Sequence, residues 1–324
     1  MPKLTSANIK QDAPFALQVE LTEGCNLRCS TCGLNAIRGK ANDLKFLTMA
    51  NATKLCERIL EAGWNPRIEF AMHGEPSLHP QLTQVLSLFR KLLPKLHLMM
   101  TSNGGGFMKD PTVSIDEAME SLNVLALDAY EGVAIVPSIL KRYQGIHDPI
   151  QYPADPRGNP HRRRKPDQHD LVIVQDIVKA TKGTHSSLNN HAGSGMPANT
   201  NGHGKRCAKP FRELSIRYDG NVAICCNDWK GEYYCGNVFD QPLEEVWQGP
   251  AFVAARKALY NGLRDFTPCV KCDAVSYRPG LLPDHKGLQQ LALPNKEDRV
   301  VMAKAVAGKP LATPVLRQWE LPQV

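Results

Sequence analysis

The chain has 324 residues, of which 42% are hydrophobic and 22% are charged, a composition that allows one large domain with a smaller one and excludes a mainly disordered chain. Lys and Arg outnumber Asp and Glu by 39 to 32, and the net charge of +7 favours an anionic partner without establishing one. No apolar run reaches the ~18 residues of a membrane-spanning helix, and residues 1–15 contain no apolar core of a secretory signal. We therefore expect a cytoplasmic protein with no membrane partner.

The first half of the chain alternates predicted strands with predicted helices. In chain order these are strand 16–22, helix 50–63, strand 67–72, helix 80–93, strand 97–101, helix 114–121, strand 122–127, helix 133–143 and strand 170–177. Alternation at this spacing predicts an α/β fold built from parallel β/α units. Polar residues gather where the strands end, which is the edge at which α/β barrels place their sites.

The second half departs from this pattern. The Pro-, Arg- and His-rich segment 146–169 predicts a loop or insertion, with a lid as one role, and segment 184–205 has the composition of a linker. Alternating residues around Asp219-Gly220 predict a hairpin over 213–225. Residues 243–260 are predicted to be helical, and the tail from Pro283 onward has weak periodicity.

Ten cysteines carry the strongest signal in the sequence. In a reducing compartment, closely spaced cysteines indicate metal or cluster ligands. Cys25, Cys29 and Cys32, which we call the first cysteine set, directly follow the first predicted strand. Three thiolates on one loop can hold three irons of a [4Fe–4S] cube and leave the fourth iron open to a ligand. A zinc site is the alternative, although zinc usually takes four ligands.

This Cys-x-x-x-Cys-x-x-Cys loop after the first strand of a β/α series resembles the signature of the radical S-adenosylmethionine (SAM) superfamily. The resemblance implies a partial (β/α)6 TIM-type barrel with a [4Fe–4S] cluster and SAM at the ends of its strands. It also implies reductive cleavage of SAM to a 5′-deoxyadenosyl radical that removes a hydrogen atom from the substrate. A low-potential electron donor such as flavodoxin or ferredoxin is then required.

The resemblance extends to segments that contact SAM in that family. Gly74-Glu75-Pro76 resembles the segment that binds the SAM amino group, Ser102 and Asn103 resemble the third-strand polar end, and Asp128 resembles a fourth-strand residue near ribose or substrate. The implied SAM contacts are therefore Gly74, Glu75, Pro76, Ser102, Asn103 and Asp128. Segment 189–193 resembles an "NRAG"-like segment with His in place of Arg, whereas Thr31 departs from the aromatic residue usual at its position.

Four later cysteines form the second cysteine set, which comprises Cys207, Cys225, Cys269 and Cys272. The pattern Cys207…Gly220-x4-Cys225 followed by Cys269-x-x-Cys272 resembles Twitch and SPASM extensions, and the absence of cysteine after Cys272 resembles the shorter Twitch type. The resemblance implies an auxiliary [4Fe–4S] cluster with complete protein ligation. A four-thiolate zinc site is the alternative for this set, and Cys226 and Cys235 stay unassigned. The predicted division is a lead at 1–14, a core barrel at 15–205, an auxiliary domain at 206–280 and a tail at 281–324.

The remaining polar candidates leave the substrate open. Asp128 and Asp228 are candidates on the substrate side, and the basic run His161–Lys165 is either a solvated loop or a phosphate contact. Three functions therefore stay open. They are oxidation of a small molecule or peptide with help from the auxiliary cluster, isomerisation or modification of a nucleotide or DNA base, and a non-enzymatic zinc-stapled binding protein.

Overall fold

The computed structural model describes residues 13–29, 32–37, 43–110, 113–129, 135–143, 148–152, 154–174, 189–195, 204–274 and 292–308. Within these residues the fold is α/β, and a mostly parallel sheet of nine strands forms its centre. No described helix is long and apolar enough to cross a membrane.

Eleven strands are present in the described residues. They are β1 (Ala16–Val19), β2 (Thr22–Glu23), β3 (Lys45–Phe46), β4 (Arg67–Phe70), β5 (Leu98–Ser102), β6 (Val124–Asp128), β7 (Ile150–Tyr152), β8 (Asp170–Val174), β9 (Glu213–Ile216), β10 (Asn221–Ala223) and β11 (Tyr234–Asn237). The large sheet has the order β11-β10-β9-β1-β4-β5-β6-β8-β7, and β2 pairs with β3 in a separate antiparallel ribbon. All neighbours from β9 to β7 run parallel, so their carboxyl ends share one edge.

The described helices cover this sheet or its extension. They are α1 (Met49–Glu61), α2 (Leu82–Leu92), α3 (Gly105–Lys109), α4 (Ile115–Ser121), α5 (Ile135–Arg142), α6 (Lys209–Arg212), α7 (Leu243–Trp247), α8 (Pro250–Tyr260) and α9 (Lys296–Ala307). Helix α1 shows why these segments are helical: the Thr48 hydroxyl accepts a hydrogen bond from the Asn51 amide at 3.1 Å and so caps the helix. Its residues Ala52, Leu55 and Ile59 recur on one face and are buried against the sheet.

The predicted hairpin extends the barrel sheet. Strands β9 and β10 pair antiparallel, as predicted, and β9 lies parallel to β1 with Ala16 opposite Glu213 and Val19 opposite Ile216. The amino-terminal strand is therefore flanked by β4 on one side and by the carboxyl-terminal hairpin on the other. The two regions share one continuous sheet, and the domain boundaries drawn from the sequence stay a prediction.

Two segments differ from the expectation. Ile150–Tyr152 lies inside the segment predicted to be a loop, but it forms the edge strand β7 and pairs with β8. The outermost strand of the parallel sheet, β7, therefore precedes its neighbour β8 in sequence. In the tail, whose weak periodicity predicted no element, Lys296–Ala307 forms α9, which begins with an Asn295–Asp298 capping box. The Lys257 ammonium on α8 donates to the Asp298 carboxylate at 2.9 Å and fixes this helix to the fold. Most of the predicted linker 184–205 lies outside the described residues.

Candidate functional site

The site begins where β1 and β4 end, at a contact that only glycine fits. Gly24 and Gly74 form an isolated parallel bridge, and the Glu75 amide donates to the Gly24 carbonyl at 2.8 Å. A Cβ atom on Gly74 would lie 1.9 Å from the Thr22 carbonyl oxygen. The predicted Gly74-Glu75-Pro76 segment is therefore held directly against the strand that leads into the first cysteine set.

Glu75 ties this segment to the end of the next strand. Its buried carboxylate accepts hydrogen bonds from the Ser102 hydroxyl at 2.5 Å, the Asn103 amide at 2.7 Å and the Ser77 amide at 2.9 Å. Burial raises the pKa of Glu75, and these hydrogen bonds offset part of that increase. The carboxylate thus organises the strand ends, and its expected contact with the SAM amino group stays a prediction.

Asn103 connects the strand ends to the first cysteine set. Its Nδ2 donates to the Cys25 sulfur at 3.3 Å and to Asn26 Oδ1 at 3.1 Å, while its Oδ1 accepts from the Gly105 amide at 2.7 Å. The Leu27 amide also donates to the Cys25 sulfur at 3.3 Å. Donors aimed at a sulfur stabilise its ionised form, which is the form that binds metal.

The three thiols of the first set lie close enough to influence one another. Burial, with smaller contributions from Glu75, Cys32 and Cys29, raises the pKa of the Cys25 thiol to about 12, although the hydrogen bond from the Leu27 amide lowers it in part. Ionised sulfurs crowded in this way need a bound cation, because a coordinated metal deprotonates its thiol ligands outright. The donor set therefore fits the predicted iron–sulfur cluster. Thr31 lies outside the described residues.

The second cysteine set also converges. Burial raises the pKa of Cys225 far above its usual range, and Cys226, Cys269 and Cys272 raise it further. Cys269 is affected in the same way by Cys207 and Cys272. The structure thus brings together the four thiols that the sequence pattern selected from three distant segments.

The two unassigned cysteines have other surroundings. The Cys226 sulfur accepts a hydrogen bond from the Lys209 ammonium at 3.1 Å, and that ammonium also donates to Glu213 at 2.9 Å. Cys235 is buried in the main hydrophobic core. Burial raises its pKa most, Asp228 also raises it, and Arg256 lowers it. Neither arrangement provides a reason to exchange one of these thiols for a member of the second set.

The spacing of the described side chains does not suit a single metal ion. No three His, Cys, Asp or Glu side chains among the described residues lie close enough together to hold one. A single zinc ion draws its sulfur ligands to about 2.3 Å from one point. A cube with iron at each corner spaces its ligands further apart.

A family model and one relative that covers most of the chain match this protein. The SPASM iron-sulfur cluster-binding domain matches residues 207–273, a range that contains the whole second cysteine set. The S-adenosyl-L-methionine-dependent 2-deoxy-scyllo-inosamine dehydrogenase of Niallia circulans is 22% identical over 267 residues, covering 80% of this chain and 93% of the relative. These matches confirm the resemblance to radical SAM enzymes with a SPASM-type extension.

Further similar proteins match less of the sequence or only the fold. A GTP 3′,8-cyclase of Mycobacterium marinum is 30% identical over 112 residues, which is 33% of this chain and 30% of the relative. The crystal structure of BtrN in complex with AdoMet and 2-DOIA superposes with a TM-score of 0.63 at 20% identity, covering 84% of this chain and 98% of that chain. The predicted fold class, the SPASM-type extension and the prediction that the chain is an enzyme are thereby confirmed. The predicted cofactors, [4Fe–4S] clusters and SAM, are confirmed as well, and the non-enzymatic zinc alternative is set aside.

The two carboxylates proposed on the substrate side differ in their surroundings. Asp128 ends β6 at the shared carboxyl edge, where it is 8% exposed. Asp228 accepts hydrogen bonds from the Glu232 amide at 2.7 Å and the Tyr233 amide at 2.9 Å, one on each carboxylate oxygen. Asp228 therefore closes a turn, while a role for either residue in the chemistry stays a prediction.

The basic run lies at the opposite end of the sheet. Arg164 is buried and its Nε donates to Asp170, the first residue of β8, at 2.7 Å. The His161 carbonyl accepts from Arg67, the first residue of β4, at 2.6 Å. Because both partners begin their strands, the run is at the amino-terminal edge, away from the cysteine sets. Arg162 and Arg163 are exposed there.

Sequence reasoning missed a buried charge network beside the first cysteine set. The Glu20 carboxylate lies 2.9 Å from His73 Nδ1 and 3.9 Å from Arg217 Nε, and Arg217 also pairs with Glu23. The other ring nitrogen, His73 Nε2, lies 3.1 Å from the Cys226 carbonyl. This network joins the barrel to the SPASM-type extension. Its members are far apart in sequence, so no local motif indicates that they lie together. The His79 ring, in contrast, hydrogen-bonds to the Leu47 carbonyl at 2.8 Å and to the Gln81 amide at 3.1 Å, so His79 is structural.

Proposed function

We propose that the protein is a radical SAM oxidoreductase that removes two electrons from a small polar substrate. Cys25, Cys29 and Cys32 hold the SAM-binding cluster, and the second cysteine set holds the auxiliary cluster. The observation that carries this proposal is the convergence of four thiols, two buried and two half-buried, in addition to a separate triplet. The relative that matches over 80% of the chain is a dehydrogenase by name, which supports the same class of reaction.

The triplet leaves one cluster position for SAM, and the strand ends supply the rest of that site. Gly74, Glu75, Pro76, Ser102, Asn103 and Asp128 line the carboxyl edge and are the proposed SAM contacts. When bound, the reduced cluster and SAM supply the radical that removes a hydrogen atom from the substrate. The chain positions the cluster through the hydrogen bonds of Asn103 and Leu27 to Cys25, and it excludes water by burying Glu75 and its partners.

The auxiliary cluster has a complete set of protein ligands, so we propose that it accepts an electron and does not bind the substrate. The first cluster receives its electron from a low-potential carrier such as flavodoxin or ferredoxin. A reducing compartment such as the cytoplasm suits these oxygen-sensitive groups. Seven of the ten cysteines are then ligands, and all ten are free thiols in the structure.

The substrate class rests on the relative and on the position of the basic run. A small polar molecule matches the aminocyclitol type of substrate that the dehydrogenase is named for. A nucleic-acid substrate would draw on a positive surface near the reacting groups. The basic run cannot provide that surface, because it bonds to residues that begin β4 and β8. Neither isomerisation nor DNA modification gains support from the relatives, and a peptide substrate is an outcome for the test below.

Anaerobic turnover with deuterated candidates tests this proposal. The reconstituted protein is incubated with SAM, dithionite and a panel of aminocyclitols, polyols and peptides that carry deuterium on alcohol or α carbons. We expect deuterium in 5′-deoxyadenosine and a product two mass units lighter than the protiated substrate. The matched control is Cys29→Ala. A rearranged product of unchanged mass would contradict the oxidoreductase assignment, and transfer from a peptide alone would reassign the substrate class.

A further inference from the structure

Trp229 lies between the two cysteine sets. It follows Cys225 by four residues, is 8% exposed, and packs its indole directly over Gly33, the residue after Cys32. A Cβ atom on Gly33 would lie 2.7 Å from the indole ring, so the two groups are in close contact. The indole therefore presses on the loop that carries the first cysteine set.

The indole also contacts the His73 ring, with the centroids 4.7 Å apart, and a segment that is fixed to the second set. The ring of His191 lies 5.2 Å from the Trp229 ring in an edge-on arrangement. Asn190, which is fully buried, exchanges hydrogen bonds with Asp273 at 2.7 and 3.3 Å, and its Nδ2 donates to the Lys271 carbonyl at 2.7 Å. Lys271 and Asp273 flank the ligand Cys272.

The backbone of this segment is strained. His191 and Ala192 have φ values of 48° and 52°, in the left-handed region that non-glycine residues rarely adopt. Such a conformation persists only where its surroundings enforce it. The enforcing contacts are the Asn190 hydrogen bonds and the packing of Ala192 with Cys272 and Ala274. The position of the His191 ring therefore depends on the Cys269–Cys272 loop.

We propose that Trp229 is a positioning residue that couples occupancy of the auxiliary cluster to SAM binding at the first cluster. A loaded second set holds Asn190, Asn190 places His191, and His191 holds the indole against Gly33. This inference rests on the cluster assignment made under Proposed function. Trp229 Nε1 has no hydrogen-bond partner among the described residues, so the indole acts through the packing of its ring.

A double-mutant cycle tests the coupling through SAM affinity, which is measured without turnover by anaerobic equilibrium dialysis. The four proteins are the natural chain, Cys269→Ala/Cys272→Ala, Trp229→Ala, and the triple variant, each with the first cluster loaded. Loss of the second set should raise the SAM dissociation constant about fivefold in the natural background. In the Trp229→Ala background, loss of the second set should change the SAM dissociation constant by less than about twofold. Equal changes in both backgrounds, or no change in the natural one, would overturn the proposal.

Two further variants separate positioning from general damage. Trp229→Phe retains a ring over Gly33 and should restore the coupling, whereas Trp64→Ala removes an equally buried indole far from both sets and should leave the coupling intact. If the double cysteine variant fails to fold, Asn190→Ala replaces it, since all seven ligands are kept. Asn190→Ala must then weaken SAM binding only when Trp229 is present. Iron analysis of each protein shows separately whether the cluster assignment itself has failed.

Discussion

Glu20 Oε1 and His73 Nδ1 lie 2.9 Å apart, and both side chains are completely buried. The contact joins the residue after β1 to the residue before Gly74, and Arg217 from the SPASM-type extension approaches the same carboxylate. A buried carboxylate of this kind is stable only while its charged and hydrogen-bonding partners remain. This ionised group therefore adds a buried contact between the barrel and the extension to the pairing of β9 with β1.

The first prediction concerns the acid stability of this group. Burial raises the pKa of Glu20, but Arg217 and then His73 lower it more, to about 2. Because the folded pKa lies below the unfolded value, the stabilisation is complete above about pH 4.5 and is lost as the pH falls toward 2. Glu20→Gln should cost about 3 kcal/mol at pH 7. The gap between the two proteins should narrow over that acid range.

Urea unfolding of the metal-free protein at several pH values measures this difference. The matched control is Glu61→Gln, since Glu61 is exposed and pairs only with Arg58 at 3.0 Å. An exposed pair is worth about 0–1 kcal/mol, so the control should change little at any pH. If the difference in unfolding free energy between Glu20→Gln and the natural chain stays constant down to pH 2, Glu20 is not the ionised group described here.

The second prediction concerns the turn after β4. Gly74→Ala places a methyl group 1.9 Å from the Thr22 carbonyl, so the strand ends must separate. We expect the free energy of unfolding to fall by at least about 3 kcal/mol. We also expect SAM binding to be lost. Gly63→Ala is the control. Gly63 also has a positive φ, +62°, but no atom lies within 4 Å of the methyl group that the substitution adds. Its cost should be about 1 kcal/mol, with SAM binding retained. Thermal unfolding and equilibrium dialysis give both quantities, and equal losses in the two variants would contradict the steric argument.

The third prediction assigns the cysteines by iron content. The natural chain should bind about eight irons, and Cys269→Ala about four, because only the auxiliary cluster is lost. Cys269→Ala should still cleave some SAM without coupling to substrate, whereas Cys29→Ala should cleave none. Cys226→Ala and Cys235→Ala should both keep about eight irons, since neither thiol belongs to the second set. Iron and sulfide analysis after anaerobic reconstitution provides the counts, and a halved iron content in Cys235→Ala would require a new ligand assignment.

The fourth prediction separates two neighbours in the basic run. Arg164 is buried and bonds to Asp170 at 2.7 Å and to the carbonyls of Asn159 and Arg162, so Arg164→Ala should cost about 3 kcal/mol. Arg163 is exposed and makes one 3.3 Å contact with Asn65, so Arg163→Ala should change stability by less than about 0.5 kcal/mol. Turnover should be unchanged in Arg163→Ala. A large loss of turnover there would restore a substrate role for the run.

The sequence predicts the parallel units well, because buried strands and amphipathic helices each have a clear period. The strand predicted at 97–101 is observed at Leu98–Ser102, and the predicted 213–225 hairpin forms β9 and β10. Both cysteine sets could be found for a similar reason, since ligand spacing within a loop is a local property. The strand Ile150–Tyr152 has only three residues and forms because β8 offers an edge, which no local pattern shows.

Other features depend on contacts between distant segments. Arg217 contacts Glu20, and Trp229 contacts Gly33, because the pairing of β9 with β1 brings these distant segments together. Helix α9 is different, because its capping residues Asn295 and Asp298 were a readable local signal that the weak periodicity of the tail obscured.

The most direct measurement is SAM cleavage by the reconstituted protein under strictly anaerobic conditions with dithionite as reductant. We expect 5′-deoxyadenosine from the natural chain and none from Cys29→Ala at equal protein concentration. Absence of 5′-deoxyadenosine from a natural chain that carries both clusters, or undiminished formation by Cys29→Ala, would contradict the assignment of the first cysteine set.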